Sequence, residues 1–242
     1  MILLRRRALT GGDMPGPGPG PGPTPGGSAA GDLLVGQTVA IKESGTPIPY
    51  LVVHQGNPDA GLYDASCEGT WLLRQDIRMI GIWNSDNKNK LNESDIMAAM
   101  AGFLNDYEMK IQQAIKQVKI PYYVGGGTID INSGPNGLQC KIFPLSCYEI
   151  GMNINASLVD SAKLSYFESG IESSAMQKRI AELNGSSSDW FLRTASVSVT
   201  HAVYVVSANG AIVGISVSAV SGYRPAFILP YDYQFEESEV IS

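Results

Sequence analysis

Residues able to do chemistry are few in this chain, and their spacing is informative mainly for what it leaves out. Nucleophilic catalysis needs a base beside the nucleophile. The only histidines are His54 and His201, and no Gly-x-Ser-x-Gly elbow accompanies them. Each histidine reads as structural or surface. Cys67, Cys140 and Cys147 make an odd count without metal-type spacing, a pattern of buried thiols and not of a disulfide framework. Glycoside hydrolysis needs two carboxylates held across a cleft, and no acidic spacing here marks such a pair. The loop Asn84-Ser-Asp-Asn-Lys-Asn-Lys-Leu-Asn92 offers oxygen atoms but lacks the D-x-[DN]-x-[DN]-G order of a calcium loop. It reads as solvated. Gly125-Gly-Gly127 has no following Lys-Ser/Thr, so it does not read as a phosphate loop. No catalytic residue, metal or cofactor is expected.

What stands out is a stretch without charge. Thr194 to Gly222 contains no Asp, Glu, Lys or Arg, in a chain with 17 basic and 23 acidic residues. Within it, His201 to Ile215 forms two β-rich runs about Asn209-Gly210, the signal for a type I′ hairpin. Strand alternation sends either Val203/Val205 or Tyr204/Val206 inward. Tyr204 is placed outward with Ile212 and Ser216. Such an uncharged face of Val, Ile and Tyr rimmed by Ser and Thr suits recognition. The candidate ligand-binding residues are Ser196, Val197, Ser198, Val199, Thr200, His201, Tyr204, Ile212, Val213, Ile215, Ser216 and Ser218.

The elements that position this hairpin follow in chain order. Gln37–Lys42 and Pro49–Gln55 read as an antiparallel pair around Gly45-Thr-Pro47, to which the terminal hairpin is expected to be attached. Thr70–Arg74 is a short apolar segment with Trp71 in the core. Asn92 or Ser94 caps a helix carrying Ile96, Met100, Phe103 and Leu104 on one face. Asp106 caps a second, with Ile111, Ile115 and Val118 as its stripe and Pro121 as its stop. A short Thr-Ile-Asp-Ile strand follows, and Gly137–Ser146 reads as a buried strand. Further helices are expected at Ser161–Ser169 and Ser173–Leu183, the latter ended by Gly185. Strands, then helices, then a terminal hairpin make the class α+β.

Several segments carry a family resemblance. Asp189-Trp-Phe-Leu-Arg193, the glycine-turned hairpin and Gly222-Tyr-Arg-Pro-Ala-Phe-Ile-Leu229 form the core of it. Tyr63–Leu73, Ala114–Pro121, Gly137–Phe143, Ala162–Gly170 and Lys178–Gly185 extend it over roughly residues 34 to 230. This pattern resembles a domain of unknown function found in virion and adhesion proteins of phages and prophages of Gram-positive bacteria. That domain is related to the C-type-lectin-like fold of formylglycine-generating enzymes and phage tropism determinants. The chain departs from the family's W-W-L-R-S-P at Trp190-Phe-Leu-Arg-Thr-Ala195. The enzymatic relatives use a late cysteine pair, whereas every cysteine here precedes Tyr148, so the resemblance implies scaffold without that chemistry. It also implies that the final sheet displays side chains diversified by a retroelement that mutates adenines. Randomised AAC and AAT codons cannot produce Lys, Glu, Gln, Met or Trp, and Thr194–Tyr223 contains none of the 40 such residues in the chain. Trp190, Arg193, Arg224 and Phe227 become framework, the arginines tying loop ends through backbone carbonyls.

The expected organisation is a flexible Pro/Gly tether at 1–31, a C-type-lectin-like binding domain at 32–232 and an acidic tail at 233–242. Pro-Gly repeats from Met14 to Gly27 have period two and supply no apolar face to offset ordering entropy. A net charge of −6 argues against a nucleic-acid partner, and no run reaches the roughly 18 apolar residues of a membrane span. The sequons at Asn92, Asn155 and Asn184 read as incidental. The first functional reading is a phage or prophage receptor-recognition protein without enzymatic activity. It would fold in the cytoplasm without a signal peptide and then reside on the virion or cell surface. Its expected partners are a bacterial surface protein or glycan, the phage particle through the tether, and a further copy in a homo-oligomer. A structural virion protein is the second reading and a carbohydrate-active enzyme the third.

Overall fold

Apolar runs without alternation decide the architecture. Trp71-Leu-Leu73, Trp190-Phe-Leu192 and Ala226-Phe-Ile-Leu229 bury every successive side chain, so both faces of these strands need a covering layer. The computed structural model describes residues 27–154 and 159–241 and supplies two cores. Neighbouring residues go to opposite ones, as strand geometry requires. One core holds Val39, Ile41, Tyr50, Leu72, Phe191 and Phe227. The other holds Leu51, Trp71, Leu73, Trp190, Leu192 and Ile228. All three tryptophans are fully buried, and each indole N–H donates to a carbonyl: Trp71 to Gly56, Trp83 to Leu192 and Trp190 to Arg179.

The fold is mixed α+β, mostly antiparallel sheet with few helices. A six-stranded antiparallel sheet runs in the order Ile142–Phe143, Ala226–Leu229, Thr70–Arg74, Thr46–Gln55, Thr38–Glu43, Val240–Ile241. A five-stranded sheet runs Ile212–Ser216, Ala202–Val206, Trp190–Ala195, Val220–Tyr223, Met79–Ile82. The central Trp190–Ala195 strand meets Val220–Tyr223 in parallel at Trp190 and Gly222. The terminal hairpin and the first two strands thus occupy different sheets. Val203 and Val205 nevertheless share a core with Val39 and Ile41.

Two short crossings carry the chain between the sheets, from Arg74 to Met79 and from Tyr223 to Ala226. The crossings lie side by side, with the Arg78 N–H on the Tyr223 carbonyl (2.9 Å) and the Arg74 N–H on the Pro225 carbonyl (3.0 Å). Arg224 locks them. Its guanidinium donates to the Arg74 carbonyl (2.9 Å) and the Gln75 carbonyl (2.8 Å) and lies 4.8 Å from the centroid of the Trp190 ring. Burial pulls its pKa down to about 10, which leaves it cationic at neutral pH.

Several local expectations are corrected. The first pair turns at Ser44-Gly45, both with positive φ, and Thr46-Pro47 already belong to the second strand. Of the two caps the sequence offers, Asn92 and Ser94, the Asp95–Phe103 helix uses Ser94, whose Oγ accepts from the Met97 N–H. The second helix is only Met109–Ala114, because Val118–Ile120 leaves the helical stripe to pair with Leu138–Cys140. Asp106 does not cap it; its carboxylate takes Arg78 at 2.5 Å. No helix forms over Ser161–Ser169. That segment is tied down by tertiary bonds instead, among them Tyr166 N–H to the Val53 carbonyl and Arg179 to the Glu168 carbonyl. The last helix is Ser173–Gln177 alone. Ladder pairing also extends past both expected domain limits: Ser28–Ala29 pairs with Gln234–Phe235, and Val240–Ile241 with Thr38–Val39. Of the expected tether, residues 1–26 lie outside the described residues, as does the Asn155 sequon.

Candidate functional site

The two-residue hairpin turn expected at Asn209-Gly210 is found at Asn184-Gly185 instead. Asn184-Gly185, expected to end a helix, makes the two-residue hairpin turn: φ is +53° and +80°, and Leu183 pairs with Ser186. That is the type I′ requirement of positive φ at both positions. Asn209-Gly210 does not make that turn. Val206 pairs with Ile212, Ser207 and Ala211 close the loop, and only Gly210 has positive φ, at +83°. This is the three-residue loop with a left-handed residue after a type I turn. Asn209 Oδ1 accepts from the Ala211 N–H (3.1 Å) and the Ser207 hydroxyl (2.7 Å). A side chain at Gly210 would collide with the Met176 carbonyl, because the Ser173–Gln177 helix underlies the turn.

The hairpin is not a one-sided display. Val203, Val205 and Val206 are all fully buried, so both faces of its inner strand are covered. Tyr204 and Ile212, expected outward, pack half-buried against the second core. Ile215 and Ser216 are also half-buried, as is Val197. Ser196 is buried, and its hydroxyl accepts from the Val199 N–H at 3.2 Å. The exposed members are Ser198, Val199, Thr200, His201, Val213 and Ser218. Four of these are consecutive on the loop joining Trp190–Ala195 to Ala202–Val206. Ser218 stands beside them, since the neighbouring Val217 N–H donates to the His201 carbonyl.

Asn89, which the sequence placed in a solvated loop, holds the 196–202 loop in place. It is fully buried. Its Nδ2 lies within donor distance of the carbonyls of Ser196 (2.8 Å), Val199 (3.0 Å) and Ala202 (2.9 Å). Its backbone N–H donates to the Thr200 carbonyl, and its Oδ1 accepts from the Gly126 N–H at 2.7 Å. The Asn-rich loop and the triple glycine therefore brace the 196–202 backbone. Nothing in the Asn-rich composition distinguishes Asn89 from its neighbours, which is why sequence reasoning missed it.

Beneath the loop lies a buried polar cluster. Arg193 and Glu149 form a two-pronged ion pair (2.5 and 2.6 Å) with both side chains fully buried. The arginine also donates to the Pro121 and Pro144 carbonyls, both at 3.1 Å, and Tyr63 donates to Glu149 at 2.7 Å. Next to it, the Ser161 hydroxyl donates to Asp160 Oδ1 (2.8 Å), while Asp160 Oδ2 is buried without a hydrogen-bond partner among the described residues. Burial raises the Asp160 pKa to about 6, above the roughly 3.9 of an unfolded chain. The native state then binds this proton more tightly. Its contribution to stability is full below about pH 3.9 and is lost as pH rises through about 6. Asp160→Asn should flatten this dependence, gaining on the order of 2 kcal/mol relative to wild type between pH 4 and pH 7. Urea midpoints measured across that range check it, and parallel curves for the two proteins would refute it.

The remaining candidates for chemistry are held in structural contacts. His54 Nδ1 accepts from the Ser165 N–H at 3.2 Å, and burial lowers its pKa. The three cysteines are free and buried. Burial pushes the Cys67 thiol up to about 12 and raises Cys140 and Cys147 as well, so none is poised as a thiolate. Among the described residues, no three His, Cys, Asp or Glu side chains gather as a metal set, and no helix is long and apolar enough to cross a membrane. A groove of about 600 Å³ lies between the Asp95–Phe103 helix and Leu138–Ile142, lined by Met97, Ala101, Leu104 and Lys141 among others. None of the sequence-predicted binding residues lines it.

The molecule is thus an α+β domain of two joined sheets that carries a braced, uncharged loop at one end. A protein-family model described as a domain of unknown function (DUF6273) matches residues 68–231, and the chain belongs to that family. No curated protein and no solved structure matches it.

Proposed function

We propose that this protein is a recognition module of a phage or prophage, with a C-type-lectin-like domain that binds a bacterial surface molecule through Ser198–His201 and Ser218. The observation that carries the reading is the combination of exposed, uncharged, short side chains with a backbone braced by Asn89. Rigid backbone with variable side chains lowers the ordering cost of binding and lets side chains change without unfolding their support. Loops on a sheet scaffold are where such function concentrates. The absence of Lys, Glu, Gln, Met and Trp from Thr194–Tyr223 supports codon-restricted diversification of the same segment. In this reading the protein is a binder and not an enzyme.

Changing Ser198, Val199, Thr200 and Ser218 together to alanine should remove at least about 90% of binding to intact Gram-positive cells, measured by cytometry with labelled protein. The stability cost should stay under about 0.5 kcal/mol per site, since these side chains are exposed. Full retention of cell binding by a folded variant would sink the assignment of the loop. Release of sugars from purified cell walls by the wild-type protein would sink the non-enzymatic reading.

A further inference from the structure

Ile212–Ser216 is an edge of the five-stranded sheet, and its register shows which backbone groups are in use. The Val217 N–H donates to the His201 carbonyl, and the Ser207 N–H to the Ala211 carbonyl. With the two-residue period of an antiparallel ladder, the pairs Val203/Ile215 and Val205/Val213 carry the inward bonds. The N–H and C=O groups of Ile212 and Gly214 then point away from the sheet. Proteins commonly blunt such an edge with charge, proline or a bulge. Ile-Val-Gly-Ile-Ser has neither charge nor proline, and it pairs with Ala202–Val206 without a register shift. Val213 is 43% exposed and Gly214 is exposed.

We infer that this edge pairs antiparallel with the same edge of a second copy of the chain, about a two-fold axis at Gly214. Gly214 exchanges its N–H and C=O with its own counterpart, Ile212 faces Ser216, and Val213 faces Ile215. The lack of charge makes this edge suited to a second copy of the same acidic chain. A two-fold contact sets side chains near their own counterparts, so a charged edge repels itself. This chain carries −6 overall, yet Thr194–Gly222 has no charged side chain at all. Gly214 also places no side chain at the axis, where two copies approach most closely. The pairing joins two five-stranded sheets into one and covers Val213, the most exposed apolar residue of the edge. It does not rest on the recognition reading, which uses the neighbouring loop.

Sedimentation equilibrium of the full chain tests this. The mass should rise from 25.8 kDa toward twice that value, with a Kd of about 10–100 μM, as befits a contact smaller than standard interfaces. Gly214→Pro removes the outward amide at the axis but no inward ladder bond, and should weaken association at least about tenfold. Val213→Lys, at an exposed position, should do the same by charge repulsion, and mixing it one to one with Val213→Glu should restore the dimer. Circular dichroism confirms that each variant is folded. A wild-type protein still monomeric at about 1 mM would overturn the inference. So would a dimer indifferent to Val213→Lys, whatever other strand or surface it used.

Discussion

Replacing Glu149 with alanine should destabilise the protein by about 3–5 kcal/mol, because it leaves the fully buried Arg193 guanidinium without its counter-charge. The loss should change little with added salt, since buried pairs are poorly screened. Adding Arg193→Met to that variant should recover part of the loss. The unpaired cation is then gone, although the Pro121 and Pro144 carbonyls lose their donor. Urea unfolding of the two single variants and the double variant measures each step. A loss below about 1 kcal/mol for Glu149→Ala would show that water or another group reaches Arg193 and that the pair is not the buried brace described above. The position of this pair links stability to the 196–202 loop. Arg193 belongs to the strand that leads into Ser196 and ties that strand to the Pro121 and Pro144 segments, so the variant should also loosen the 196–202 loop.

Trp190→Ala should have a comparable effect, about 3–5 kcal/mol, for a different reason. The indole fills the second core, donates to the Arg179 carbonyl and lies under the Arg224 guanidinium. Its strand joins the hairpin on one side to Val220–Tyr223 on the other. The cavity would therefore open where the two sheets are stitched together. At roughly 2–4 °C per kcal/mol for a domain of this size, the melting temperature should fall by roughly 6–20 °C. A differential scanning calorimetry shift of under about 2 °C would mean that the crossing does not depend on this side chain. The contrast with the exposed quartet, for which little loss of stability is expected, separates framework from the proposed recognition surface along one continuous segment.

Much of the framework was legible in the residues. Trp71 is placed in the core from its short apolar segment, and Trp190 and Phe227 are framework by the family resemblance; all three are fully buried. Ser94 before an apolar stripe marked a helix start, and its hydroxyl makes the cap. Arg224 was expected on backbone carbonyls and is found there. Arg193 also reaches carbonyls, but its principal partner was missed. The signal was a lone acidic residue in Leu145-Ser-Cys-Tyr-Glu-Ile-Gly151, an otherwise uncharged run.

The sequence by itself determined local preferences: which residues shun water, where helices can begin and where a positive φ is affordable. Its reading made Gly185 a helix stop and Asn209-Gly210 a tight turn, although the two dipeptides are identical. Tertiary structure alone chose between them, because Asn209 is held by its own loop and the Ser173–Gln177 helix packs beneath Gly210. The same holds for Val118, which fits a helical stripe but pairs with Cys140 in a ladder. It holds again for Asn89, whose carbonyl partners Ser196, Val199 and Ala202 lie more than a hundred residues along the chain. A dihedral preference is worth at most about 1 kcal/mol, whereas burying a strand or satisfying buried carbonyls is worth several. Where the two compete, contacts distant in sequence decide, and those exist only once the chain has closed on itself.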